Sequence, residues 1–100
     1  MEKVRIAAVS DIPRGEGKSF SVKGKTFAVF NVDGRFYALG NVCPHRGGSL
    51  GDGFLQGNTI TCPMHSWEFD VRTGECIAPG AGGVPTYEIE VDGQNLFVHL

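Results

Sequence analysis

Residues 43–65 read CPHRGGSLGDGFLQGNTITCPMH and contain two short runs of metal-ligating side chains. Cys43 and His45 have the spacing C-x-H, and Cys62 and His65 have the spacing C-x-x-H. Each run offers one thiolate and one imidazole, which are ligand types that transition metals bind well. Structural zinc patterns usually pair Cys with Cys and His with His along the chain, whereas each run here mixes them. The spacing therefore predicts a metal site with two sulfur and two nitrogen ligands.

The two runs also match the pattern of a known family. C-P-H-R-G-G-x-L followed by C-P-x-H-x-W resembles the Rieske [2Fe-2S] proteins, in which two Cys bind one iron and two His bind the other. The resemblance implies one [2Fe-2S] cluster as cofactor, with Cys43 and Cys62 on one iron and His45 and His65 on the second. Taken without the resemblance, the four ligands would also suit a single Zn²⁺ in a structural interaction module.

Eight further residues are predicted to surround the cluster or to form a docking face. Pro44 and Pro63 follow the two Cys and are expected to stiffen the ligand loops. Gly47 and Gly48 lack a Cβ, so the backbone can approach the inorganic core and turn its N–H groups towards sulfide. The complete set is Pro44, Arg46, Gly47, Gly48, Pro63, Met64, Trp67 and Pro79.

The composition predicts one soluble domain that spans residues 1–100. A net charge of −2 and the lack of a Lys/Arg-rich run argue against nucleic acid as a partner. No apolar stretch approaches the ~18 residues of a membrane span, so no membrane partner is expected. Three cysteines, of which the site would use two, suit a reducing compartment and predict a cytoplasmic location.

Short alternating segments separated by Gly and Pro predict an all-β fold. Strands are expected at residues 4–8, 19–22, 26–32, 35–39, 59–61, 67–71, 87–91 and 96–100, with hairpins at Asp33-Gly34 and Asp92-Gly93. Residues 40–57 are expected to contain no strand. The Rieske resemblance implies an antiparallel β-sandwich base with a cluster-binding subdomain inserted at about residues 41–79.

The resemblance also predicts a low reduction potential. High-potential Rieske proteins add a disulfide between the ligand loops and two hydroxyl groups that hydrogen-bond to the cluster. The corresponding positions here are Gly48 and Met64 for the disulfide, and Trp67 and Phe69 for the hydroxyl groups. Since hydrogen bonds to sulfur stabilise the more negative reduced state, we expect a potential near the low end of the roughly −150 to +300 mV Rieske range.

The function implied by the resemblance is that of a low-potential Rieske-type ferredoxin, and not of an enzyme by itself. Such a protein passes one electron from a flavin-dependent reductase to a terminal oxygenase, as in aromatic-ring dioxygenase systems. The small subunit of assimilatory NAD(P)H nitrite reductase, with the large subunit as partner, resembles the chain in the same motifs and stays open as an alternative. Outside the motifs, Cys76 is predicted to be a buried packing residue and His99 to face solvent without a partner.

Overall fold

The computed structural model describes residues 3–42, 48–63, 67–77 and 82–99. These ranges contain the strands β1 (Lys3–Ala8), β2 (Gly17–Val22), β3 (Lys25–Val32), β4 (Arg35–Gly40), β5 (Phe54–Gln56), β6 (Thr59–Thr61), β7 (Glu68–Asp70), β8 (Thr86–Tyr87), β9 (Ile89–Asp92) and β10 (Asn95–His99). Two 3₁₀ turns, Val9–Asp11 and Leu50–Asp52, are the helical segments of the described residues. The prediction of an all-β fold is confirmed. Nothing helical in these ranges has the length and apolar character needed to cross a membrane.

The strands form three antiparallel sheets with the orders β1-β10-β9, β2-β3-β4-β8 and β5-β6-β7. Strand β3 explains how they stack, because both of its faces are buried. Phe27 and Val29 pack with Leu96 of the β1-β10-β9 sheet, whereas Ala28 and Phe30 pack with the β5-β6-β7 sheet. The middle sheet therefore has a hydrophobic core on each face, and its central strand is a continuous apolar run for that reason.

The two predicted hairpins are present, with different turns. Between β3 and β4, Asp33 (φ 53°) and Gly34 (φ 93°) both have positive φ, as the predicted type I′ turn requires. Between β9 and β10, Asp92 pairs with Asn95, so the two-residue loop is Gly93-Gln94. Only Gly93 (φ 61°) has a positive φ in this second turn. The second loop thus begins one residue later than the Asp-Gly pattern predicts.

The prediction that residues 40–57 contain no strand is wrong for residues 54–56. Phe54–Gln56 forms β5, which pairs with β6 through Leu55 and Ile60. The glycines at 53 and 57 make the segment look like a loop in the sequence. The strand forms because the partly buried Leu55 packs on the core while Phe54 and Gln56 are exposed.

The predicted strand at residues 87–91 is two strands that belong to different sheets. Tyr87 in β8 pairs with β4, and Ile89 in β9 pairs with β10. The chain crosses between the sheets at Glu88, whose carbonyl oxygen accepts a hydrogen bond from the His99 N–H at 2.9 Å. The apolar alternation continues across the break because Tyr87 and Ile89 pack against the same core.

Candidate metal centre

The first predicted ligand loop leaves the base directly after β4. Val42 and Ser49 form an isolated antiparallel bridge, which joins the two ends of the loop. The carbonyl oxygen of the preceding residue, Asn41, accepts a hydrogen bond from the Leu50 N–H at 2.9 Å. Gly48, at the end of the loop, is buried. The stem of this loop is thus closed by backbone pairing on both sides.

The second predicted ligand loop is the connection of the β6–β7 hairpin. Thr61 pairs with Glu68, and the Cys62 N–H donates to the Trp67 carbonyl oxygen at 2.7 Å. The hairpin therefore continues one residue beyond β6, up to the predicted ligand. Cys62 is 1% exposed, whereas Pro63 is exposed. The fold fixes the backbone of Cys62 and buries its side chain at the base of the loop.

A third loop follows Cys76 and returns to the chain at Val84. On one side, the Ile77 N–H donates to the Glu68 carbonyl oxygen at 2.8 Å, which extends the pairing along β7. On the other side, the Val84 N–H donates to the Gly74 carbonyl oxygen at 2.8 Å. We call the residues joined by these two hydrogen bonds the neck of the third loop. The neck is held next to the β6–β7 hairpin.

All three loop stems share one hydrophobic core. Cys62 of the second loop, Leu50 after the first and Val84 after the third belong to the same cluster of buried side chains. Trp67 and Cys76 pack against it and are partly buried, whereas Cys76 was predicted to be buried. The described stems of the three loops are therefore fixed on one core.

The described residues at these stems fit an iron–sulfur centre. Cys62 lies in apolar surroundings, where a thiolate is costly unless a cation compensates its charge. Gly48 is buried at the first stem, and without a Cβ its backbone can be approached closely. The remaining predicted ligands, Cys43, His45 and His65, lie outside the described residues, as do Pro44, Arg46, Gly47, Met64 and Pro79.

The comparison with known families decides what this site is. The model of the Rieske [2Fe-2S] domain matches residues 2–88 of the chain. The chain belongs to the Rieske [2Fe-2S] family.

Three similar proteins show what kinds of Rieske protein the chain resembles. The ferredoxin component of the naphthalene 1,2-dioxygenase system of Pseudomonas aeruginosa is 38% identical over 94 residues, which cover 93% of this chain and 90% of the relative. A chain in the complex of reduced oxygenase and oxidized ferredoxin of carbazole 1,9a-dioxygenase is 32% identical, with a TM-score of 0.89 and coverage of 96% of this chain and 91% of that chain. A protein assigned as the small subunit of an NADPH nitrite reductase covers all of both chains with a TM-score of 0.86, but at 20% identity it shows the fold alone.

The predicted family, cofactor and electron-carrier function are confirmed by these findings. The chain is a Rieske-type ferredoxin, and the cluster, when bound, supplies a centre that takes up and releases one electron. The protein's own part is to bury the thiol of Cys62 and to fix the loop stems. In the carbazole 1,9a-dioxygenase system, the ferredoxin forms a complex with its oxygenase.

The prediction that His99 faces solvent without a partner is wrong. Its Nε2 lies 3.2 Å from Glu90 Oε1, and its side chain is 20% exposed. Lys3 Nζ donates to the other carboxylate oxygen of Glu90 at 3.0 Å. The Lys3 hydrogen bond, followed by the one with His99, holds the pKa of Glu90 below its usual value. This group joins β1, β10 and β9 in the sheet that contributes no residue to the loop stems.

A second carboxylate lies at the end of β7, close to the third loop. Asp70 accepts hydrogen bonds from Arg72 Nε (3.1 Å), Arg72 Nη2 (2.9 Å) and the Arg72 backbone N–H (2.8 Å). The side-chain hydrogen bonds from Arg72 are the main reason why the pKa of Asp70 is lowered. The pair fixes the turn that leads from the hairpin to Gly74.

Sequence reasoning missed Asn41, a buried polar residue at the first loop stem. Its side chain contacts Ser49 and Gly51 on the far side of the ligand loop. The available signal was an amide side chain placed directly after an apolar strand and two residues before Cys43.

Proposed function

We propose that this Rieske ferredoxin is the electron-transfer component of an aromatic-ring dioxygenase system in the cytoplasm. It accepts one electron from a flavin-dependent reductase, gives it to a terminal oxygenase and performs no chemistry on the substrate itself. The observation that carries the proposal is the sequence identity to a dioxygenase ferredoxin component over nearly the whole chain. The nitrite reductase alternative has the shared motifs and a likeness of fold at 20% identity in its favour.

We propose that Cys43 and Cys62 ligate one iron of the cluster and that His45 and His65 ligate the other. The family pattern and the position of Cys62 at the base of its loop support this assignment. Residues 41–79 are proposed to form the cluster-binding subdomain. Support for these bounds comes from the β5-β6-β7 sheet, whose strands all fall within them.

The reduction potential is proposed to lie near the low end of the Rieske range. Gly48 has no thiol with which to form a disulfide, and Phe69 has no hydroxyl group to offer the cluster. Phe69 is fully buried in the core that also contains Cys62. A site with fewer hydrogen bonds to sulfur stabilises the reduced state less, which lowers the potential.

The docking face is proposed to be the end of the molecule that carries the ligand loops. It would include Pro44, Arg46, Met64 and residues 79–83, close to the two His ligands. Two large apolar side chains at the loop stems support this choice, since Val42 is 56% exposed and Ile77 is 54% exposed. Apolar side chains without cover are what a small, transient electron-transfer contact requires.

The ligand assignment is tested by EPR spectroscopy and metal analysis of the anaerobically purified protein. We expect a red-brown protein with two iron atoms per chain, whose reduced form gives the rhombic signal of a Rieske centre. His65→Ala should abolish that signal and Cys62→Ser should strongly reduce iron content. His99→Ala is the matched control, because His99 contacts Glu90 within the β1-β10-β9 sheet, which contributes no residue to the loop stems, and should leave the signal unchanged.

Three outcomes would contradict the assignment or the function. A colourless protein that holds one zinc per chain would show that the site is a structural zinc module and contains no cluster. A Rieske signal that survives His65→Ala would show that the ligands are wrong, and a midpoint potential well above zero would refute the low-potential prediction. The partner proposal is tested separately by mixing the ferredoxin with a ring-hydroxylating oxygenase and its reductase, where oxygenase turnover should depend on the ferredoxin.

A further inference from the structure

The stem of the first ligand loop contains a buried amide that joins one end of the loop to the other. The Asn41 side chain is 8% exposed, and its Nδ2 donates to Ser49 Oγ at 3.0 Å. Its Oδ1 accepts from the Gly51 N–H at 2.8 Å and lies 3.3 Å from the Ser49 hydroxyl. One side chain, placed before the loop, thus contacts two residues that come after it.

The partners of Asn41 are themselves held by the base of the fold. Gly51 packs so closely on β2 that an added Cβ would lie 2.6 Å from the backbone nitrogen of Ser19. The Asn41 N–H donates to the carbonyl oxygen of Thr26 in β3 at 3.2 Å. Asn41 therefore ties the loop ends to the backbone that packs on β2 and β3.

We propose that Asn41 is a positioning residue for the [2Fe-2S] cluster, because it sets the separation and orientation of the two ends of the 43–47 ligand loop. The inference rests on the proposed ligands Cys43 and His45, which lie within that loop. Residues that orient metal ligands from behind are worth about 10–100-fold in metal affinity when they are removed. The amide suits this position because it offers an acceptor to the Gly51 N–H and a donor to the Ser49 hydroxyl at the same time.

The chain offers a matched control in its other buried asparagine. Asn31 is 5% exposed, donates to the Ile12 carbonyl oxygen at 2.8 Å and accepts from the Gly34 N–H at 2.8 Å. It stands five residues along β3 from Thr26, which is about 16 Å in a strand. Asn31→Ala and Asn41→Ala therefore remove similar hydrogen bonds, one far from the ligand loops and one at their base.

The test measures loss of the cluster to an iron chelator, the EPR g values and the midpoint potential of both variants. We expect Asn41→Ala to lose its cluster about tenfold faster than the wild type or more, with changed g values. Its potential should fall, because a looser loop directs its N–H groups less well at the cluster, and a tenfold change in the reduction equilibrium is about 59 mV. Asn31→Ala should lower the thermal midpoint similarly while its g values and potential stay those of the wild type.

A milder pair of variants keeps the test valid if Asn41→Ala does not fold. Ser49→Ala removes one partner of the amide and should give a smaller effect of the same sign, and Ser49→Thr should restore the wild-type values. Ser49 has φ −84° and ψ 109°, an extended conformation that a β-branched residue accepts. The inference is overturned if Asn41→Ala, or Ser49→Ala where Asn41→Ala does not fold, retains wild-type g values, potential and cluster lifetime. A wild-type protein without a Rieske signal would instead overturn the proposed ligands on which the inference rests.

Discussion

The neck of the third loop depends on a glycine that has no room for a side chain. Gly74 has φ +77°, and a Cβ at this position would collide with the carbonyl oxygen of Val84. The Val84 N–H in turn donates to the Gly74 carbonyl oxygen at 2.8 Å. Gly74→Ala must therefore strain the backbone and push the two sides of the neck apart.

The two costs can be separated with Gly24→Ala. Gly24 has nearly the same φ (+79°), but an added Cβ would meet nothing within 4 Å. Gly24→Ala should therefore lose stability only through the left-handed backbone conformation, by about 1–2 kcal/mol. Gly74→Ala should lose the same amount of stability and, in addition, about 1–3 kcal/mol because the buried Val84 hydrogen bond is lost.

Thermal unfolding of both variants, followed by circular dichroism at one scan rate, measures the difference. At roughly 4–8 °C per kcal/mol for a domain of this size, Gly74→Ala should melt about 4–24 °C below Gly24→Ala. Because residues 79–83 of the third loop are proposed to lie in the docking face, close to the two His ligands, Gly74→Ala should also bleach faster in air, whereas Gly24→Ala should not. Equal melting temperatures for the two variants would refute the close approach at the neck.

Two further predictions concern docking and pH. Val42→Ser should raise the KM of the oxygenase for the reduced ferredoxin by several-fold without changing the midpoint potential of the ferredoxin. The control is Val91→Ser, at a similarly exposed valine in β9, which should change neither quantity. Equal kinetics for both variants would exclude Val42 from the interface. Asp70→Asn should lower the thermal midpoint modestly at pH 7, because it removes the ion pair with Arg72. The pKa of Asp70 is lowered in the folded state, so its stabilisation is present above the ordinary value of 3.8 and is lost as pH falls below it. The difference between the wild type and Asp70→Asn should therefore shrink in acid, and a difference that grows there would contradict the role of Arg72.

The sequence was sufficient where local chemistry determines the structure. Asp33 and Gly34 both need positive φ in a tight hairpin, so their turn could be predicted from two residues. The exit from one sheet to another at Glu88 could not, because Tyr87 and Ile89 keep the alternation of a single strand while they pair with different neighbours. Strand β5 was missed because its three residues are stabilised by pairing with β6 and by the burial of Leu55, which no local pattern reveals.

The same limit applies to the site. The ligand set stays a prediction, and it could be proposed from the sequence because metal chemistry restricts ligands to a few residue types. The role of Asn41 could not, since it depends on hydrogen bonds to residues eight and ten positions later in the chain. His99 was also wrongly assigned for this reason, because its contact with Glu90 arises only when β9 and β10 pair.

Phe69 connects the packing of the core to the redox property proposed for the cluster. The side chain is fully buried among apolar residues, in the same core as Cys62. A hydroxyl group there, as the resemblance implies for high-potential relatives, would need the cluster as its hydrogen-bond partner. Without a cluster, that buried hydroxyl would cost about 1–3 kcal/mol in a domain whose total stability is only about 5–15 kcal/mol. Phenylalanine avoids this penalty, and the absence of that hydrogen bond is also what lowers the expected potential.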